Sequence, residues 1–301
     1  AGAVADADVE LAPAPLLGTP PVVEGQCLAS ARWRLRDGTP IGPGVGTWRL
    51  APEEAEARVW AALQHGARHV DTAAEYGTEA AVLRALQQSG VPRGEVFVTL
   101  KVSGDTAAEL RGVLEKSWRA WGGGHVDCLM LHRAPASADR LEEVWGVLVG
   151  EVRAGRAKVL GASNVTVAQL EALCADRPAE CRPAVVQVKC SVFHQGGYFE
   201  AGPAALWALL RRQGIVAVGV SLLNPLHSCV PPLEEPNIRA WAEDLGCSPA
   251  EVLAHWACRA GVCPLLRCAP GHARQVFGSG VQLPAGVARA LHGLSCLTET
   301  H

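Results

Sequence analysis

From residue 44 onward, short apolar runs alternate with longer amphipathic runs. The short runs predict strands at 44–47, 69–73, 96–102, 126–132, 157–162, 184–190, 215–221 and 262–266. Most are rich in Val, Leu or Ile at consecutive positions, the pattern of strands buried on both faces. The longer runs predict helices at 52–64, 78–89, 106–121, 140–155, 166–177, 203–213, 248–260 and 271–277. Two carry clear start signals. Thr166 precedes an apolar-periodic run, and Ser248 precedes Pro249, with Glu251 in the first turn. Strand–helix units in unbroken succession predict an α/β fold, a closed (β/α)8 TIM barrel. An open doubly wound sheet is the alternative. Its GxGxxG loop is absent, and Trp48 stands where that loop needs room.

Ahead of the first unit, residues 33–41 read as a hairpin turning at Asp37 and Gly38, placed to close the barrel floor. Residues 1–30, rich in Ala, Pro and Val without helical period, read as a flexible tail, and 31–301 as one barrel domain. A Pro-rich loop is expected at 223–235, on the active face of the barrel.

Composition narrows the function classes. A chain of 301 residues with 49% hydrophobic and 19% charged residues suits one α/β barrel. The net charge of -3 predicts no nucleic-acid partner. No apolar run reaches the roughly 18 residues of a membrane span. The 11 cysteines show no CxxC pair and no zinc-type spacing, so no metal is expected. They read as free, buried thiols in a reducing compartment. The first residue is not methionine, and the tail reads as what remains beside a removed targeting segment, which predicts the cytoplasm or an organelle stroma. A monomer is expected.

In a parallel barrel the active site lies at the strand C-termini, so polar residues there are the candidates. Asp71 ends the second strand, followed by Glu75 and Tyr76. Lys101 ends the third and His132 the fourth. Ser163 and Asn164 follow the fifth, Gln187 and Lys189 lie on the sixth, and Ser221 ends the seventh. A charge on an apolar strand is costly unless paired, so Asp71 and Lys101 are natural partners. A lysine charge about 4 Å from a phenol is worth on the order of 4 kcal/mol at an effective dielectric near 20. This predicts a Tyr76 pKa lowered toward neutrality. Tyrosine then delivers a proton to a carbonyl oxygen, with His132 orienting that oxygen. No side chain donates hydride, so a nicotinamide cofactor is required. Ser163, Asn164 and Gln187 offer the groups that hold a carboxamide. Taken singly, each of these residues has an ordinary structural explanation: an ion pair, a core histidine, a turn or a barrel filler.

Together they resemble the aldo-keto reductases. Asp37 and Gly38 with Gly46, Thr47 and Trp48 resemble the opening hairpin and first strand of that family. The stretch Asp71 to Tyr76 resembles its aspartate–tyrosine signature, the strand ending at Lys101 its lysine strand, and that ending at His132 its histidine strand. The strands ending in Ser163 and Asn164 and bearing Gln187 are similar to its carboxamide-binding strands. The resemblance covers about 33–277. It implies reduction of aldehydes or ketones of small molecules with NADP(H), or NAD(H), bound extended without a Rossmann domain. By that likeness Asp71, Tyr76, Lys101 and His132 are catalytic. Gly46, Thr47, Trp48, Asp71, Ser163, Asn164, Gln187, Ser221, Leu223, Arg267 and His272 bind cofactor, and Trp48, His132 and Arg133 face substrate.

The chain departs from the family at several positions. The aromatic residue that stacks on nicotinamide is missing from the stretch Val220 to Leu223. Lysine and asparagine of the adenosine-phosphate clamp are replaced by apolar residues, and His272 stands at its arginine. Val186 and Lys189 replace asparagine and glutamate, and Arg133 stands at a common tryptophan, where it reads either as an ordinary solvated surface arginine or as a group that attracts an anionic substrate. These losses motivate a second reading: a cofactor-binding sensor or interaction subunit on the same barrel. A barrel lyase or isomerase lacks the metal ligands or phosphate-binding glycines it needs.

Overall fold

The structure, a computed structural model, describes residues 28–195, 202–224 and 230–294. Eight parallel strands close into a barrel: β3 (Gly44–Gly46), β4 (His69–Ala73), β5 (Phe97–Val102), β6 (Val126–Leu131), β7 (Ala157–Ser163), β8 (Pro183–Lys189), β9 (Val216–Val220) and β10 (Cys263–Leu266). They follow one another around the cylinder, and β10 pairs back onto β3. Each expected strand is present, with ends shifted by a residue or two. Burial of nearly every strand residue explains the continuous apolar runs: β4, β5 and β6 are buried throughout.

Two glycines let the barrel wall close. A Cβ at Gly44 would stand 2.6 Å from the His69 carbonyl oxygen, and one at Gly161 2.8 Å from both the Cys128 sulfur and the Met130 terminal methyl. The first gap is set by backbone and admits no carbon atom; at the second, the Cys128 and Met130 side chains would have to shift to admit one.

Between the strands lie α1 (Pro52–Gln64), α2 (Glu79–Gln88), α3 (Ala107–Ala120), α4 (Ala138–Arg153), α5 (Val167–Cys174), α6 (Gly202–Gln213), α7 (Pro236–Asp244) and α8 (Pro249–Arg259), and after the last strand follow α9 (Ala273–Phe277) and α10 (Ala285–Gly293). In α4, Leu141, Val144, Trp145 and Leu148 are buried, the spacing of one helical face. Thr166 and Ser248 each close a capping box, with Gln169 and Glu251 reaching back to the cap nitrogen. The expected helix at 271–277 is a 3-10 turn, Pro270–His272, running into the short α9. Helices α7 and α10 are additions to the sequence reading.

The hairpin forms as expected from β1 (Trp33–Arg34) and β2 (Pro40–Ile41), with Gly38 at φ 86° in its turn. It lies across the N-terminal ends of the barrel strands. Trp33, fully buried, donates from Nε1 to the Gly261 carbonyl at 3.3 Å, just before β10. Arg36 donates to the Gln213 carbonyl at 2.8 Å and the Pro183 carbonyl at 2.9 Å, at the starts of β9 and β8. Of the expected tail, 1–27 lies outside the described residues. Leu28–Ser30 form a 3-10 turn, with Leu28 buried in the core. Of the expected Pro-rich loop, 225–229 lies outside them too. Pro232–Glu234 form a 3-10 turn, and Glu235 caps α7 by accepting from the Ile238 nitrogen at 2.7 Å.

The eight described cysteines are free thiols, seven of them buried. Burial pushes the Cys190 thiol up to about 12, so it is an inert packing group. No helix among the described residues is long and apolar enough to cross a membrane.

Candidate active site

The turn after β4 delivers Tyr76. Ala74–Tyr76 form one 3-10 turn, ended by Gly77 in a left-handed conformation at φ 66°. Three buried hydroxyls brace it: Thr78 meets Thr47 at 3.0 Å and Thr72 at 2.9 Å, and Thr47 also donates to the Asp71 carbonyl at 3.1 Å. The turn therefore projects Tyr76 from a fixed base.

Asp71 and Lys101 form a buried ion pair beneath it, 2% and 1% exposed. In strand register Asp71 faces Thr99, and Lys101 lies two residues further along the same face, so the lysine folds back to reach the carboxylate. From β8, Gln187 donates to the other Asp71 oxygen at 3.0 Å. The Lys101 nitrogen lies 5.0 Å from the centre of the Tyr76 ring. The Tyr76 hydroxyl is 3.4 Å from His132 Nε2, and the two rings meet edge to face. The Asn164 amide donates to the His132 carbonyl at 2.8 Å, fixing the chain at the end of β6, and also to the Ser163 hydroxyl at 3.2 Å.

These groups open on a cavity of about 350 Å³. Its wall takes Gly46 and Trp48 from the end of β3, Asp71, Tyr76 and His132 from the next strands, and Ser163, Asn164 and Gln187 from β7 and β8. Ser221, Leu223 and Arg267 complete the expected set on the far side. Asn164 and Ser221 sit in left-handed backbone at φ 49° and 64°. Strain of order 1–3 kcal/mol in a non-glycine residue is typical of places where a side chain must be aimed.

Four expected site residues do not line the cavity. Lys101 lies behind Asp71. Thr47 is fully buried and braces the Tyr76 turn rather than facing a ligand. Arg133 and His272 are exposed and are not part of the lining. A family motif fixes position along the chain, not contact with a cavity: Arg133 lies in the bend after β6 and His272 ends the 3-10 turn before α9. The wall also includes Lys189, a rim candidate given no role in the sequence reading, and Val220, Leu222, Asn224, Leu265 and Leu266, which that reading did not assign to it. Lys189 carried a signal: it lies two residues past Gln187, on the same strand face.

The expected lowering of Tyr76 is overturned. Burial, then the Asp71 and Glu75 carboxylates, push its hydroxyl well above the ordinary phenol value. Lys101, paired with Asp71, does not reverse this. Burial also pulls Lys101 down, against the opposing pull of Asp71. His132 lies below the ordinary imidazole value because of burial first and Lys101 second.

Trp48 lies exposed at the lip. The Arg267 guanidinium donates to its carbonyl at 3.1 Å and sits 5.6 Å from its ring centre, and Arg49 lies 4.4 Å from the same ring.

A sequence model of the aldo/keto reductase family matches residues 40–226. An aldo-keto reductase of Mycolicibacterium vanbaalenii is 34% identical over 223 residues, covering 73% of this chain and 75% of that protein. An aldehyde reductase of Saccharomyces cerevisiae is 28% identical over 261 residues, 77% and 80% of the two chains. The crystal structure of an aldo/keto reductase from Brucella melitensis superposes with a TM-score of 0.74 at 25% identity, covering 87% of this chain and 98% of that one. Fold, rim chemistry and relatives agree, and the chain belongs to the aldo/keto reductase family of carbonyl-reducing oxidoreductases.

Proposed function

We propose that this protein reduces aldehyde or ketone groups of small molecules, with Tyr76 as proton donor and a nicotinamide dinucleotide as co-substrate. One observation carries the reading: the Tyr76 hydroxyl and the His132 imidazole stand 3.4 Å apart on the wall of a cavity that Asp71, paired with Lys101 behind it, also lines.

The donor set suits a carboxamide-bearing ring. The Gln187 amide nitrogen is engaged by Asp71, and that of Asn164 by the His132 carbonyl and Ser163. Both amide oxygens thus remain as acceptors for a carboxamide NH2, and the Ser163 hydroxyl remains as a donor to its oxygen. Val220 and Leu222 provide an apolar face beside them. The dinucleotide, when bound, supplies the hydride that no side chain can give. Arg267 is the cation at the lip suited to its phosphates. NADP(H) is the first expectation and NAD(H) the second.

The chain supplies the proton. A phenol held above its ordinary value stays protonated across the neutral range, so Tyr76 reaches the carbonyl oxygen as O–H and gives up its proton as negative charge develops there. The Lys101 ammonium, 5.0 Å from the ring centre, offsets the Asp71 charge, so the phenolate left behind faces a neutral pair rather than a bare carboxylate. Asp71 and Gln187 hold that ammonium in place.

Tyr76→Phe separates the readings. It should lower kcat by about 10²- to 10⁴-fold on small aldehydes, while cofactor binding, followed by fluorescence quenching, stays intact. An undiminished rate in Tyr76→Phe would overturn the assignment of the donor. The aliphatic wall at Val220, Leu222 and Leu223, where a stacking ring is usual, favours the second reading, a cofactor-binding sensor or interaction subunit. Tight binding of NADPH or NADH with no turnover on any carbonyl would select it.

A further inference from the structure

Glu75 has no part in the reading above, yet it directly precedes Tyr76 and points at His132. Its Oε2 lies 3.3 Å from His132 Nδ1, while Nε2 on the other side of the ring faces the Tyr76 hydroxyl at 3.4 Å. Nδ1 is buried and makes no aligned hydrogen bond to any described residue. The Glu75 oxygen lies close to it but off the N–H direction. The Glu75 side chain is 48% exposed, so a small rotation of the carboxylate brings the two into line.

A carboxylate only accepts hydrogen bonds. Neutral His132 therefore keeps its single proton on Nδ1, facing Glu75, and Nε2 is left as a bare acceptor toward Tyr76. A bare Nε2 cannot donate to a carbonyl oxygen. It becomes a donor only when the ring carries both protons. We propose that Glu75 is a positioning residue for the reduction: it holds His132 with Nδ1–H toward itself and favours the doubly protonated ring, whose Nε2–H then joins the Tyr76 hydroxyl on the substrate oxygen. This rests on the function proposed above, and the test keeps the two apart.

The groups around His132 set the sign. Tyr76 and Glu75 face it from the turn after β4, Asp71 from β4, Lys101 from β5, and Arg133 follows it in the chain. Burial, Lys101 and Arg133 disfavour its charge, whereas Glu75 and then Asp71 favour it. Of these two carboxylates only Glu75 is free of the buried ion pair. Removing it must move His132 ionisation to lower pH, and with it the pH above which the second donor is lost.

The experiment compares the parent protein with Glu75→Gln, which keeps an acceptor without charge, and Glu75→Leu, which removes both. The imidazole ¹⁵N resonances of His132, assigned with a His132→Gln control, are followed against pH in the free protein. The parent should show the Nδ1–H tautomer. Glu75→Gln should keep it but titrate at lower pH, and Glu75→Leu should lose the tautomer preference. With a neutral aldehyde, the alkaline fall of kcat/KM should move to lower pH in both variants, giving about a two- to fivefold loss at neutral pH. Glu75→Asp should restore part of it. An Nε2–H tautomer in the parent, or His132 titration unmoved in Glu75→Leu, overturns the proposal. The resonance measurement stands whether or not any carbonyl turns over, so failure of the proposed reaction leaves it decisive.

Discussion

Gln187 reaches across the barrel to Asp71. Its Nε2 leaves β8, four strands around the cylinder from β4, and donates to Asp71 Oδ2 at 3.0 Å. The carboxylate is thereby held from two sides, by Lys101 on one oxygen and Gln187 on the other. A residue assigned to cofactor binding is also a support of the ion pair.

Gln187→Leu should therefore cost stability even without cofactor. It leaves one oxygen of a buried carboxylate without its partner, a loss of about 1–3 kcal/mol. Urea denaturation of the free protein measures it. If stability is unchanged while cofactor affinity falls, Gln187 serves the ligand alone.

Lys101→Met should be more damaging, by about 3–5 kcal/mol, because it leaves the Asp71 charge buried and uncompensated. Replacing both partners, Asp71→Asn with Lys101→Met, should recover much of that loss. A double variant no more stable than Lys101→Met would show that the site tolerates a lone carboxylate. Both proteins should be inactive, so the comparison rests on denaturation curves.

Acid should destabilise the fold through His69. Burial holds its imidazole down to about 4, against the ordinary 6.5. It packs edge to face on Phe97 and meets the Thr99 hydroxyl at 3.0 Å. Above pH 6.5 both folded and unfolded chains hold it neutral, and it has no effect. As pH falls from 6.5 toward 4 the unfolded chain takes up a proton that the folded one refuses. Stability should drop by about 3 kcal/mol over that window. Unfolding free energies between pH 4 and 8 should show a flatter acid limb in His69→Gln than in the parent; parallel limbs would place the effect on other groups.

Much of this was legible in the chain because the barrel constrains it twice. Strands buried on both faces must be apolar at consecutive positions, and any charge on them must be there for a reason. That logic found Asp71, Lys101 and His132, and the caps at Thr166 and Ser248 marked two helix starts. Helix α7 was hidden by the prolines around it: Pro236 reads as a breaker, whereas as the first helical residue after the Glu235 cap it is a starter. Side-chain direction was not legible. Thr47 is buried beneath the Tyr76 turn, while Arg133 and His272 are exposed outside the cavity lining. The sign of the Tyr76 shift depended on its burial and then on the nearness of the Asp71 and Glu75 carboxylates, a question of packing that spacing along a chain does not hold.

The hairpin floor has a kinetic consequence. With Trp33 and Arg36 bolting it to the starts of β8, β9 and β10, traffic into the barrel is one-way in and the same way out. A molecule seated deep in such a well is trapped by whatever settles above it. If two reactants share this mouth, as the proposed function implies, the deeper one should enter first and leave last, and so govern how often the well can be refilled.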